Sequence, residues 1–171
     1  MLAGAGTGQA RLAAWPAPDA GKHAPMVPLL DLAKRVLLVL NRSGVDYALC
    51  GGLAVGVHGH VRATEDIDVV IADGAQRERA LAALAGDGWI EQPPWPDFAD
   101  GFNLRRLIMP DADGIGVLDL LVPPAGHPCL RDRRLSELDG CACWVMDRRQ
   151  LAAMKRGAGR RKDLDDAERL A

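Results

Sequence analysis

The segment CGGLAVGVHGHVRATEDID, Cys50 to Asp68, constrains the fold more than any other part of the chain. The residues before it, 45–50, read as a short buried strand that stops at Gly51-Gly52. A short helix is expected over 53–58, and Gly59 breaks it. Glycine lets a backbone approach a ligand closely, and the start of a helix offers N–H groups without intrahelical partners. A strand that runs through two glycines into a helix therefore reads as a phosphate cradle. Asp66 and Asp68 then open a second strand that ends in Val69-Val70-Ile71. Side chains two apart on a strand point to one face, so the two carboxylates repel each other unless a hard cation such as Mg²⁺ neutralises them. A third acid, Asp119, lies inside the apolar run Val117-Leu118-Asp119-Leu120-Leu121-Val122. An acid in such a run needs a partner: a metal, or Arg105 or Arg106 across the sheet.

The rest of the chain supplies a mixture of helices and strands. Apolar residues at i, i+3, i+4 and i+7 predict a helix over 29–40, ending near Ser43-Gly44. A helix over 76–84 is closed by Gly86 or Gly88, and a proline-rich loop covers 91–101. Strands are expected over 104–109 and 116–122, joined by a turn over 111–114. Residues 123–140 read as irregular with some helix. A last strand over 141–146 leads to Asp147, which caps a helix over 148–156, and a final helix covers 162–170. This order predicts a single α+β domain over 28–171, a one-domain length. Residues 1–27, rich in Ala, Gly and Pro, read as a flexible leader.

Charge and composition exclude several functions. With 21 Lys+Arg against 23 Asp+Glu the net charge is −2, so the chain as a whole is no basic nucleic-acid coat. Aromatics at 4% argue against a base-stacking platform. No apolar run approaches the ~18 residues of a membrane span, and the start of the chain lacks a secretory pattern. Cys50, Cys129, Cys141 and Cys143 are not laid out as a disulfide scaffold, so a reducing cytoplasm is expected. His127-x-Cys129 and Cys141-x-Cys143 are spaced too closely for a zinc knuckle and read as core cysteines. His58 and His60 do not suit a zinc pair. They read as hydrogen-bonding groups that fix the loop before Asp66.

The run His58-Gly59-x-x-Arg62-x-Thr64-x-Asp66-x-Asp68, with Gly51-Gly52 before it and Asp119 after it, resembles the nucleotidyltransferase superfamily of the DNA polymerase β-like fold. More narrowly, it resembles small bacterial nucleotidyltransferase-like proteins related to the toxins of type IV toxin–antitoxin pairs. Met154-Lys155-Arg156, then Arg160-x-Lys162-Asp163-Leu164-x-Asp166, is similar to the close of that group. The resemblance covers about 29–170. It implies a short mixed sheet with helices on one side and a small helical C-terminal cap.

It also implies a chemistry. Asp66, Asp68 and Asp119 would hold two Mg²⁺ ions about 3.5–4 Å apart. A nucleoside monophosphate would pass from an NTP to an acceptor hydroxyl on a tRNA, a protein or a small molecule. Asp119 acts as base or only as ligand. Gly51, Gly52, Arg62, Thr64, Lys155 and Lys162 are the nucleotide-binding residues on this reading. Arg62 pairs with a phosphate or with a carboxylate of its own domain. At least one of Lys155 and Lys162 is expected to reach the cleft from its rim. Asp163, Asp165 and Asp166 read as acids favoured by a helix N-terminus. One departure stands out: many active members have Gly-Ser at the cradle, where the serine hydroxyl binds a terminal phosphate, and this chain has Gly51-Gly52. The alternative is a degenerate member that binds nucleotide or a partner protein without catalysis. A toxin whose partner is a cognate antitoxin is one form of it.

Overall fold

The apolar spacing near the start of the domain folds as helix α1, Leu29–Arg42, in a computed structural model that describes residues 29–95, 101–111 and 114–171. The leader over 1–27, residues 96–100 of the proline loop and residues 112–113 of the expected turn lie outside the described residues. Leu32, Ala33, Val36, Leu37 and Leu40 form the buried stripe of α1. After α1 come β1 (Tyr47–Leu49), α2 (Gly51–Val57), β2 (Asp66–Ile71), α3 (Gly74–Gly86), β3 (Ile90–Glu91), β4 (Asn103–Asp111) and β5 (Gly114–Val122). A 3₁₀ turn, Pro128–Leu130, precedes β6 (Arg134–Leu138), β7 (Cys141–Val145), α4 (Arg148–Ala158) and α5 (Arg161–Leu170).

The strands form one mixed sheet in the order β3-β4-β5-β2-β1-β7-β6. The sheet expected to be short thus has seven strands among the described residues. The two beyond the expected set are edge strands. β3 is two residues long, and β6 has only Leu138 buried, so neither carries an apolar alternation that marks a strand. At the centre, β2 runs parallel to β5 and antiparallel to β1. These three carry much of the core: Tyr47, Leu49, Ile67, Ile71, Leu118 and Leu120 are fully buried.

Local signals set the helix ends. The Asp73 carboxylate accepts from the Gln76 N–H at 2.8 Å and caps α3, and Asp147 accepts from the Arg149 N–H at 2.8 Å and caps α4. Gly159, at φ 67°, ends α4 in the left-handed conformation and turns the chain into α5. No helix among the described residues is long and apolar enough to cross a membrane.

Candidate functional site

Two parallel strands build an acidic centre. In β2, Asp66 and Asp68 alternate with buried Ile67, and in β5 Asp119 stands directly opposite Asp68 in the register. One carboxylate oxygen from each of Asp66, Asp68 and Asp119 lies within 4.8 Å of the others. It is the one group of three or more His, Cys, Asp or Glu ligands that close among the described residues. All three acids line a cleft of about 740 Å³.

The glycine pair closes the floor of this cleft. Gly51 has φ +61°, and a Cβ placed there would lie 1.7 Å from Asp68 Oδ2. Position 51 therefore has no room for a side chain, and its backbone conformation favours glycine as well. The Cys50 N–H donates to the Asp68 carbonyl at 2.9 Å and ties the start of α2 to β2. Both glycines fall inside the first turn of α2, which begins two residues earlier than the expected helix. Upstream of β2, Arg62 and Thr64 line the cleft with Asp66 and Asp68, while Val61, Ala63 and Glu65 are exposed. The extended backbone presents every second residue to the site.

Burial, with the neighbouring Asp66 and Asp119 carboxylates, pushes the Asp68 carboxyl up to about 7, against the opposing pull of Lys155 and Arg160. Asp119 is held differently. Arg106, opposite it on β4, donates from Nε and Nη2 to its two oxygens at 2.8 Å each. The arginine partner and the acidic cluster, set out above as alternatives for Asp119, thus meet on the same carboxylate. Arg105 opposes Leu120 instead, and its guanidinium lies 3.7 Å from the centre of the Trp95 ring.

The other wall of the cleft is basic. Arg62 makes a fork with Asp166, Nε to Oδ1 at 2.8 Å and Nη2 to Oδ2 at 2.7 Å, so of its two expected partners it takes the carboxylate. Both lysines expected at the cleft line it, Lys155 from inside rather than from the rim, with its side chain only 8% exposed. Its amine donates to Asp163 Oδ1 at 2.9 Å and sits 3.3 Å from Asp166 Oδ2. The reason lies in the packing of α4 on α5, which turns Lys155 inward with Leu151 and Ala152. Arg160 adds a further bond to Asp163. Lys162 lines the cleft and has no ion pair among the described residues.

Neither a family model nor a curated protein matches the chain. Solved structures do. An antigenic nucleotidyltransferase-like protein from Paracoccidioides brasiliensis superimposes with a TM-score of 0.56 at 18% identity, covering 83% of this chain and 74% of that one. ANT(2″)-Ia, in complex with adenylyl-2″-tobramycin, gives a TM-score of 0.58 at 13% identity, covering 84% and 87%. The chain has the nucleotidyltransferase fold.

Several residues that shape this nucleotidyltransferase-fold cleft were not assigned a site role from sequence. Asp163 lies in the first turn of α5, as expected, while Asp166 falls one turn further on, and the two are 0% and 2% exposed. Burial pushes their carboxyls up, but Arg160 and Lys155 on Asp163, and Arg62 and Lys155 on Asp166, hold both below the usual range. The signal for them was present. Asp163, Asp166, Ala167 and Leu170 fall at i, i+3, i+4 and i+7, the buried stripe of α5. The four cysteines are free and buried, as core cysteines should be. The His58 Nε2–H donates to the Met146 carbonyl at 2.9 Å, and Arg148 contacts His60. The two histidines therefore anchor the loop before Asp66 to Met146 and to the first residue of α4.

Proposed function

We propose that this protein is a Mg²⁺-dependent nucleotidyltransferase that moves a nucleoside monophosphate from an NTP to an acceptor hydroxyl on a tRNA, a protein or a small molecule. The observation that carries the reading is the convergence of Asp66, Asp68 and Asp119 in one cleft. The donor set fits the cation: these are hard carboxylate oxygens, and the Asp68 carboxyl accepts no hydrogen bond among the described residues. Bound by these three acids, Mg²⁺ would neutralise the triphosphate and the departing pyrophosphate and acidify the acceptor hydroxyl.

The chain's own groups have separate tasks. Gly51 and Gly52 place the first-turn N–H groups of α2 at the cleft, where they would meet a phosphate. Arg106 keeps Asp119 in line with Asp68. Arg62, Lys155 and Arg160 share two carboxylates, Asp163 and Asp166, which leaves one positive charge in excess on the wall facing the acids. Lys162 adds a cation free to meet a phosphate. Pro94, Phe102, Leu104, Leu121 and Met154 give the remaining wall an apolar surface for the uncharged part of a substrate.

The test is incubation with each of the four α-labelled NTPs, Mg²⁺ and cell extract, followed by separation of RNA, protein and small molecules. Label is expected in one fraction, and its loss is expected with EDTA and in Asp66→Asn and Asp68→Asn. If no NTP labels any fraction while the protein is folded, the reading fails.

A further inference from the structure

Gly52 and Thr64 fit together as a pair. A Cβ built on Gly52 would lie 2.6 Å from Thr64 Oγ1 and 2.7 Å from Thr64 Cβ, with Arg62 Nη1 at 3.2 Å. The Thr64 side chain thus fills the notch that a side chain at position 52 would occupy. It does so on the cleft face, between Arg62 and Asp66, and its hydroxyl is the only one among the described residues lining the cleft. That hydroxyl donates to Asp66 Oδ1 at 3.1 Å.

The supply of donors makes this hydroxyl important. A polyphosphate needs several donors, yet Arg62, Arg106, Lys155 and Arg160 are each committed to a carboxylate. Among the lining side chains, the Lys162 amine and the Gln92 amide have no carboxylate partner, and beside Asp66 Thr64 supplies a hydroxyl that can turn between acceptors. A hydroxyl rotates about its C–O bond, so one that donates at 3.1 Å can redirect its proton to an incoming anion. A cation drawing on the Asp66 lone pairs favours that rotation.

We infer that the Thr64 hydroxyl is a phosphate-binding group, and that it stands in the place of a side chain at position 52. The inference rests on the nucleotidyltransferase reading above and adds a donor to it. It makes residues 52 and 64 exchangeable as a pair: one hydroxyl fits the notch, from either side, and two do not.

The experiment measures binding of Mg²⁺–tripolyphosphate by calorimetry, which reads phosphate contacts without a base or an acceptor. Mn²⁺ binding alone, by electron paramagnetic resonance, is measured in parallel. Thr64→Val keeps the shape and removes the hydroxyl, and should weaken tripolyphosphate binding about ten- to a hundredfold. Thr64→Ser should bind like the parent. Mn²⁺ affinity should stay within about twofold throughout, since the metal's carboxylates are untouched. Gly52→Ser alone should bind poorly because the introduced side chain collides with Thr64. Gly52→Ser with Thr64→Gly should recover binding, and glycine is needed because Thr64 Cβ itself lies 2.7 Å away. Thr64→Val binding as tightly as the parent would overturn the inference and leave the functional reading intact. An equal loss of Mn²⁺ affinity would also overturn it, since Thr64 would then only position Asp66. A parent protein that binds neither tripolyphosphate nor any NTP removes both readings together.

Discussion

Replacing Asp68 with asparagine should stabilise the metal-free protein, and the gain should depend on pH. The Asp68 carboxyl is raised from 3.8 to about 7 because it is buried and lies beside Asp66 and Asp119. The sign follows from proton counts. Between about pH 4 and pH 7 the folded protein keeps a proton on Asp68 that the unfolded chain has released, so stability falls as pH rises through that window. A shift of about three units at roughly 1.4 kcal/mol each gives an upper limit near 4 kcal/mol, reached above pH 7. An amide cannot ionise, and the Asp68 carboxylate has no hydrogen bond to lose among the described residues, so Asp68→Asn removes the penalty at little cost. Urea denaturation of parent and variant in EDTA, from pH 4.5 to pH 8, measures the difference and cancels the other titrating groups. The stability difference should be near zero at the acid end and rise to a few kcal/mol at pH 8. Added Mg²⁺ should then recover stability for the parent at pH 8 and do so less for the variant, because cation and proton compete for the same oxygens. A difference that stays flat across the range, or a variant less stable than the parent at pH 8, would refute the picture of an unrelieved acidic cluster.

Other substitutions probe the neighbouring parts. Gly51→Ala should destabilise by about 2–5 kcal/mol in urea, from a left-handed backbone and a Cβ driven into the Asp68 carboxylate; adding Asp68→Ala should return part of that loss. Lys155→Met should cost about 3–5 kcal/mol, because it leaves Asp163 and Asp166 short of a buried cation; a neutral result would mean that the lysine is a surface group after all. Arg106→Gln should lower stability by about 1–3 kcal/mol in EDTA, and Mg²⁺ should restore most of it, since the cation can take over the unpaired Asp119. Thermal unfolding with and without Mg²⁺ checks this last outcome.

The strand–glycine–helix unit and the Asp66-x-Asp68 pair were legible because each is a local pattern: a period of two, a glycine break, an acid where apolar residues are the rule. Asp119 was legible for the same reason, but its protein partner was not settled. Arg105 and Arg106 are neighbours in sequence, and a shift of one residue in strand register exchanges which of them faces Asp119. The register pairs Arg106 with Asp119 and sends Arg105 to Trp95 on the other face. Lys155 was expected to face the cleft and does line it, but the depth of its burial and its pairing with Asp163 and Asp166 were not legible from composition. Only the packing of α4 on α5 decides that the lysine and its two acids are inside. The edge strands β3 and β6 escaped for a related reason: an edge strand is held by backbone pairing and needs no apolar face.

The charged cluster that joins α4, α5 and the segment before β2 asks for an explanation other than stability. Arg62 reaches Asp166 across 104 residues of sequence, and Lys155 bridges Asp166 to Asp163, which Arg160 also holds. A well-packed apolar cluster of similar volume holds helices together at least as well as buried ion pairs do, because desolvation consumes most of what the charges gain. What apolar residues do not supply is a field. Three cations on two carboxylates leave a positive wall opposite Asp66, Asp68 and Asp119, and its pull on Asp68 opposes the upward push of burial. With its own acids holding them in place, these cations are fixed before any ligand arrives, so a bound anion meets an oriented field at no cost of reorganisation. The cleft is thus polarised, acidic on the strand side and basic on the helix side, which suits the cation and the polyphosphate of the proposed reaction. That division ties the C-terminal helices to the chemistry of a sheet they do not belong to.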